Sequence, residues 1–191
     1  MASVREGNQG VLVVVDVQVG VMRGTWDTAR VIANVARTVA RARAQGVPVF
    51  WVQHNDKDLP MDSADWQWVP ELVPAAGDVR VHKRFESSFE QTSLEQELQA
   101  RGSTHIVLAG AATNWCIRAT AYGALDRGYD LTLVKDAHTT KPMDLGQGEQ
   151  VAAAGIVHDL NTVMTWISYP GRTSGTATAA EVDFGVPGGS R

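Results

Sequence analysis

At 191 residues, 44% of them apolar, the chain is long enough to bury one sizeable core, and a single domain over residues 1–191 is the default expectation. A formal net charge of −4 and the absence of any basic run give no electrostatic case for a nucleic-acid partner. No apolar stretch is long enough to span a bilayer, Met1–Gly10 lacks a signal-peptide core, and the one cysteine forbids an internal disulfide, so the expectation is a cytoplasmic protein with no membrane partner.

The apolar, β-branched run Val11–Val17 is too short for a helix and too apolar for a one-sided strand, so it predicts a central strand covered on both faces. Apolar residues at helical spacing from Val31 to Ala40 predict a helix over Trp26–Gln45, stopped by Gly46. Val47–Gln53 then predicts the next strand, which completes a βαβ unit. His54–Gly77, with three prolines and two tryptophans, is too long for an ordinary connection and reads as a lid or pocket wall.

The alternation resumes with a strand at Val79–His82 and a helix at Leu94–Ala100 opened by a Thr92…Glu95 capping box. Strands at His105–Ala109, Leu131–Val134 and Val163–Ile167 alternate with helices at Asn114–Asp126 and Glu149–Leu160. Such alternation predicts an α/β fold: a three-layer α/β/α sandwich around a mainly parallel six-stranded sheet, Rossmann-like in its winding. The tail from Tyr169 holds Val182 and Phe184, which fit anchoring to this subunit or to a neighbour, and 185–191 reads as frayed.

Ligands of open α/β sheets bind beyond the carboxyl ends of the strands. Three chemically capable residues fall there. Asp16 ends the most apolar strand, where a carboxylate needs a cation or donor beside it, and Lys83 ends the third strand and supplies a cation. Cys116 follows the fourth strand in Gly110-Ala-Ala-Thr-Asn-Trp-Cys116, where a turn of small residues feeds a helix whose first N–H groups favour thiolate. Each has a plainer reading: an inert core thiol, a turn-forming aspartate, a solvated surface lysine.

The strings Val14-Val-Asp-Val-Gln18, His82-Lys-Arg-Phe-Glu-Ser-Ser-Phe89 and Gly110-Ala-Ala-Thr-Asn-Trp-Cys116, in this order, resemble those of the isochorismatase-like cysteine hydrolases. The resemblance runs along nearly the whole chain and implies a catalytic triad of Asp16, Lys83 and Cys116. It also implies a cis peptide at Ala111–Ala112, after which the N–H groups of Ala112 and Cys116 converge as an oxyanion hole. Gln18, His54, Trp66, Phe85 and Trp115 are the candidate substrate contacts. Asn114 departs from the family, where many members carry aspartate, which removes a basis for a metal-organising role there.

The family's nicotinamidase branch holds a metal on an Asp-x-His pair and a further histidine. Here the matching segment, Gln53-His-Asn-Asp-Lys-Asp58, has too few ligands, so neither metal nor other cofactor is expected. His54 and His138 each read equally well as a pocket residue or as part of a hydrogen-bonded loop or turn.

The implied activity is hydrolysis of a C–N bond in a small carboxamide, carbamoyl compound, ureide or lactam through a thioester. Lactam opening of the streptothricin-hydrolase type is one candidate. In that scheme Asp16 takes the thiol proton, Lys83 favours the thiolate, and Asp16 later protonates the departing amine. Vinyl-ether hydrolysis of the isochorismatase type is the alternative enzyme reading, and Cys116 argues against it. A binding or scaffold protein on the same fold is the non-enzymatic alternative; a redox-sensing thiol lacks a resolving cysteine. The resemblance further implies a homo-oligomer, dimer or tetramer.

Overall fold

In the computed structural model, which describes residues 4–185, the apolar N-terminal run forms β1 (Gln9–Val15), and Val11–Val15 are all fully buried. Both of its faces are apolar because both are covered. Leu12 and Val14 pack with one set of core residues, Val11, Val13 and Val15 with another on the opposite face.

The chain continues through a single helical turn, α1 (Val19–Met22), into α2 (Thr28–Ala44), β2 (Val49–His54), β3 (Val79–Lys83) and α3 (Leu94–Gln99). Next come β4 (Ser103–Ala111), a π turn at Thr113–Ile117, α4 (Arg118–Asp126) and β5 (Asp130–Thr139). A hairpin of β6 (Met143–Gly146) and β7 (Glu149–Val151), then α5 (Ala153–Trp166) and β8 (Ser174–Ala177), complete it. The main sheet has the order β3-β2-β1-β4-β5-β8, every neighbouring pair parallel. Connections wind outward from β1 in one direction and from β4 in the other, so the order reverses between these two strands, where this class of sheet opens a crevice.

The six-stranded α/β/α reading holds, with four corrections. Val163–Ile167 is not the last strand: Val163–Trp166 continue α5, whose Ile156, Val157, Leu160 and Met164 are buried at helical spacing. The sixth strand is β8, whose Ser-Gly-Thr-Ala sequence has no apolar pattern to announce it and needs none, because it pairs on one side only. The expected helix from Glu149 begins instead with the exposed strand β7. No capping box forms at α3: Ser93 is the cap residue, and Glu95 turns to Arg5 and Arg127.

His54 ends β2, and 55–77 has no strand or helix of its own, yet it is not loose. Val69 and Leu72 enter the core and Trp68 meets Trp51 edge to face at 5.2 Å. The tail anchors to its own subunit, with Val182 and Phe184 buried in the α2-side core. Residues 186–191 of the expected frayed end lie outside the described residues. Among the described residues no helix is long and apolar enough to cross a membrane.

Candidate active site

The crevice between β1 and β4 receives Asp16 from one strand and the Cys116 turn from the other. Asp16 turns through a left-handed conformation (φ 52°), which aspartate tolerates better than most residues, while its N–H donates to Val52 O at 2.9 Å. Its Oδ2 lies 2.7 Å from Lys83 Nζ, and both side chains are essentially inaccessible. Lys83 comes from the edge strand β3, and its long stem brings the ammonium across the end of β2. From there Nζ donates to Cys116 Sγ at 3.2 Å and to Phe85 O at 3.1 Å. The three residues named from strand ends, separated by up to 100 positions, therefore meet around one buried ammonium.

Cys116 is the fourth residue of the π turn rather than part of an ordinary first helical turn. The peptide Ala111–Ala112 before it is cis. Trp115 and Ile117 both donate their N–H to Ala112 O at 3.1 Å, which folds the turn back on the end of β4. The turn is also pinned from below. Thr113 Oγ1 is 2.9 Å from His138 Nδ1, His138 Nε2 is 2.9 Å from Asn161 Oδ1, and Asn161 Nδ2 donates to Lys135 O at 3.0 Å. Since Asn161 Oδ1 only accepts, His138 carries its proton on Nε2 and accepts at Nδ1 from the Thr113 hydroxyl. Complete burial pushes its imidazole down to about 4, so it is neutral. His138 is thus a brace under the Cys116 turn, and the turn expected around it is instead the end of strand β5.

Burial, then the neighbouring Asp16 charge, push the Cys116 thiol up to about 12, against the opposing pull of Lys83. Burial and Asp16 thus favour the protonated thiol from which the expected scheme starts, against the pull of Lys83 toward thiolate. Lys83 is driven down by burial, yet Asp16 and Cys116 outweigh that and leave it above the ordinary lysine range.

Among the candidate substrate contacts, Trp115 is 57% exposed and stands between cavities of about 410 and 560 Å³, the first of which is also lined by Ala112 and Asn114. Three others are placed differently. Gln18 is fully buried; its Nε2 donates to His54 O and Trp66 O, and its Oε1 accepts from His54 N. Its amide is committed to bracing the backbone and has no face toward a ligand. Trp66 stacks on His82 with ring centroids 5.7 Å apart and lends its carbonyl to Gln18 and Gln53. Phe85 accepts from Lys83 Nζ through its carbonyl and, together with Lys83, lines a cavity of about 330 Å³. His54 lies beside Lys83, with Nδ1 3.3 Å from Nζ and Nε2 3.0 Å from Asp56 Oδ2.

Two features escaped the sequence reading: the Thr113–His138–Asn161 brace and the Asp56 contact of His54. The His54-Asn-Asp56 spacing was the available signal for the second; Asn161, on a later helix, gave none for the first. Among the described residues no group of three or more His, Cys, Asp or Glu side chains is disposed to hold a metal ion.

The isochorismatase domain model matches residues 10–168. The chain belongs to the isochorismatase family. A ureidoacrylate amidohydrolase, RutB, from Methylobacterium radiotolerans is 31% identical over 193 residues, covering 84% of this chain and 69% of that protein. The crystal structure of an isochorismatase from Pseudomonas putida KT2440 superposes with a TM-score of 0.81 at 26% identity, covering 91% of this chain and 89% of that one. N-carbamoylsarcosine amidase from Thermoplasma acidophilum shares the fold, with a TM-score of 0.73 at 24% identity over 92% of this chain and 99% of that one. This isochorismatase-family chain is a hydrolase.

Proposed function

We propose that this hydrolase cleaves the C–N bond of a small carbamoyl, ureide, carboxamide or lactam substrate through a thioester on Cys116. The observation that carries the reading is the buried ammonium of Lys83 placed 2.7 Å from the Asp16 carboxylate and 3.2 Å from the Cys116 sulfur. The C–N bond is favoured because proteins similar to this chain at 31% and 27% identity are ureidoacrylate amidohydrolases.

The resting thiol fixes the order of events. As sulfur attacks the substrate carbonyl, its proton passes to Asp16, and Lys83 keeps the developing charges balanced. The carbonyl oxygen becomes an oxyanion held by the N–H groups of Ala112 and Cys116. Collapse breaks the C–N bond, Asp16 returns the proton to the departing nitrogen, and the thioester remains. Water then attacks with Asp16 as base, and collapse restores the thiol and the free acid. The cavity between the nucleophile turn and the β6–β7 hairpin, with Trp115 as its wall, takes the rest of the substrate.

The deciding experiment is a panel of ureides, carbamoyl compounds, carboxamides and lactams assayed for ammonia or amine release, with Cys116→Ala as the blank. One class is expected to turn over in the native enzyme only; equal release by Cys116→Ala would end the reading. Assembly as a homo-oligomer belongs to the same proposal and is checked by sedimentation velocity.

A further inference from the structure

Four groups surround the Lys83 ammonium. Asp16 Oδ2 is its ion-pair partner at 2.7 Å, and its three N–H bonds are matched by three hydrogen-bond partners, Phe85 O at 3.1 Å, Cys116 Sγ at 3.2 Å and His54 Nδ1 at 3.3 Å. Three of them belong to the reacting groups or to the backbone. The fourth is a side chain that the hydrolytic scheme leaves without a part.

Sheet register puts it there. His54 and Lys83 are direct partners in the β2–β3 pair, so their side chains rise side by side from the carboxyl edge. The histidine backbone is held on both sides by Gln18, which donates to its carbonyl and accepts from its N–H. Its ring is held from outside by Asp56, whose Oδ2 lies 3.0 Å from Nε2. Asp56 is in turn fixed by the N–H groups of Asp58 and Leu59, at 2.8 and 2.7 Å on Oδ1.

This chain of contacts selects one tautomer. A carboxylate at Nε2 calls for the ring proton there, which leaves Nδ1 as a bare acceptor facing the ammonium. A proton on Nδ1 would set two donors against each other. We infer that His54, oriented by Asp56, is a positioning residue for Lys83: its Nδ1 aims the ammonium at the gap between the Asp16 carboxylate and the Cys116 sulfur. The role rests on the reading of those three as the reacting groups and replaces the substrate contact expected of His54.

The test needs no substrate. Lys83 favours the thiolate, so a misaimed ammonium slows alkylation of Cys116, followed by mass spectrometry with iodoacetamide as the probe at mildly alkaline pH. His54→Leu keeps bulk and removes the acceptor, and is expected to slow alkylation about tenfold, the size of one hydrogen bond to a charged group. His54→Asn places an amide oxygen near the position of Nδ1 and is expected to stay within about threefold of the native rate. In His54→Ala, added imidazole is expected to restore the rate. Thermal melts of all three variants accompany the rates.

Native-rate alkylation in His54→Leu, or His54→Asn as slow as His54→Leu, overturns the inference. If a variant fails to fold, the His54→Asn rate and the imidazole response of His54→Ala still decide between the outcomes. Turnover by Cys116→Ala, measured alongside, separates the two readings: activity there sinks the hydrolytic scheme, whereas the alkylation rates judge His54 alone.

Discussion

At the scale of single residues, the sulfur of Cys116 stands between two charges of opposite effect. Burial raises its proton affinity most, Asp16 adds to that, and Lys83 lowers it. The two charge-removing variants should therefore diverge. Asp16→Asn is expected to speed iodoacetamide labelling of Cys116 while abolishing turnover, because it removes a repelling charge and the proton acceptor together. Lys83→Ala is expected to slow labelling; equal effects from the two, read by mass spectrometry at one pH, would contradict this electrostatic picture. His138 makes a second prediction. Its imidazole is held neutral, near 4 against an ordinary value of about 6.5, so the unfolded chain binds that proton more tightly than the folded one. Its contribution to stability is full above about pH 6.5 and is lost as pH falls toward 4, by roughly 3 kcal/mol. Urea titrations across that window should show a loss that His138→Gln lacks.

At the scale of elements, the site depends on how closely β1 and β4 approach. Gly110 is paired with Val15, has φ +125°, and a Cβ there would fall 2.0 Å from Val15 O. Neither the backbone conformation nor the space admits a side chain. Gly110→Ala is expected to cost at least ~3 kcal/mol or to prevent folding, measured by denaturant titration. Sequence patterns read the buried strands well and the exposed ones badly. Val11–Val15 announces itself because every residue is apolar, whereas Ser174–Ala177 pairs along one edge with half-buried, small side chains. The run at Val163 misled because β-branched residues also fit a helix whose buried face, Ile156 to Met164, supplies the packing.

At the scale of the whole molecule, the reversal of winding between β1 and β4 is what brings Asp16 and Cys116 together, and the width of one intervening strand is what the length of the Lys83 side chain spans. The far side of the sheet is closed by the chain's own tail. Phe184 is 2% exposed, and its carbonyl sits so close to Gly10 that a Cβ there would lie 1.7 Å away. Phe184→Ala is expected to destabilise the fold by about 3–5 kcal/mol through the cavity it leaves, with turnover of the folded fraction unchanged. A melting temperature that does not move would show that the tail contributes no core.

What the sequence by itself determined was periodicity and order: a buried central strand, alternating strands and helices, and an acid, an amine and a thiol each placed at a strand's carboxyl end. Those follow from local chemistry, since apolar spacing and turn residues act within a few positions of themselves. Only the tertiary structure decided which atoms touch. The neutral state of Cys116 comes from burial among groups distant in the chain, the commitment of Gln18 from backbone that folds over it, and the contact of His54 with Lys83 from strand register. Charge interaction and hydrogen bonding depend on distances of a few ångströms, and no pattern along a single strand states those distances.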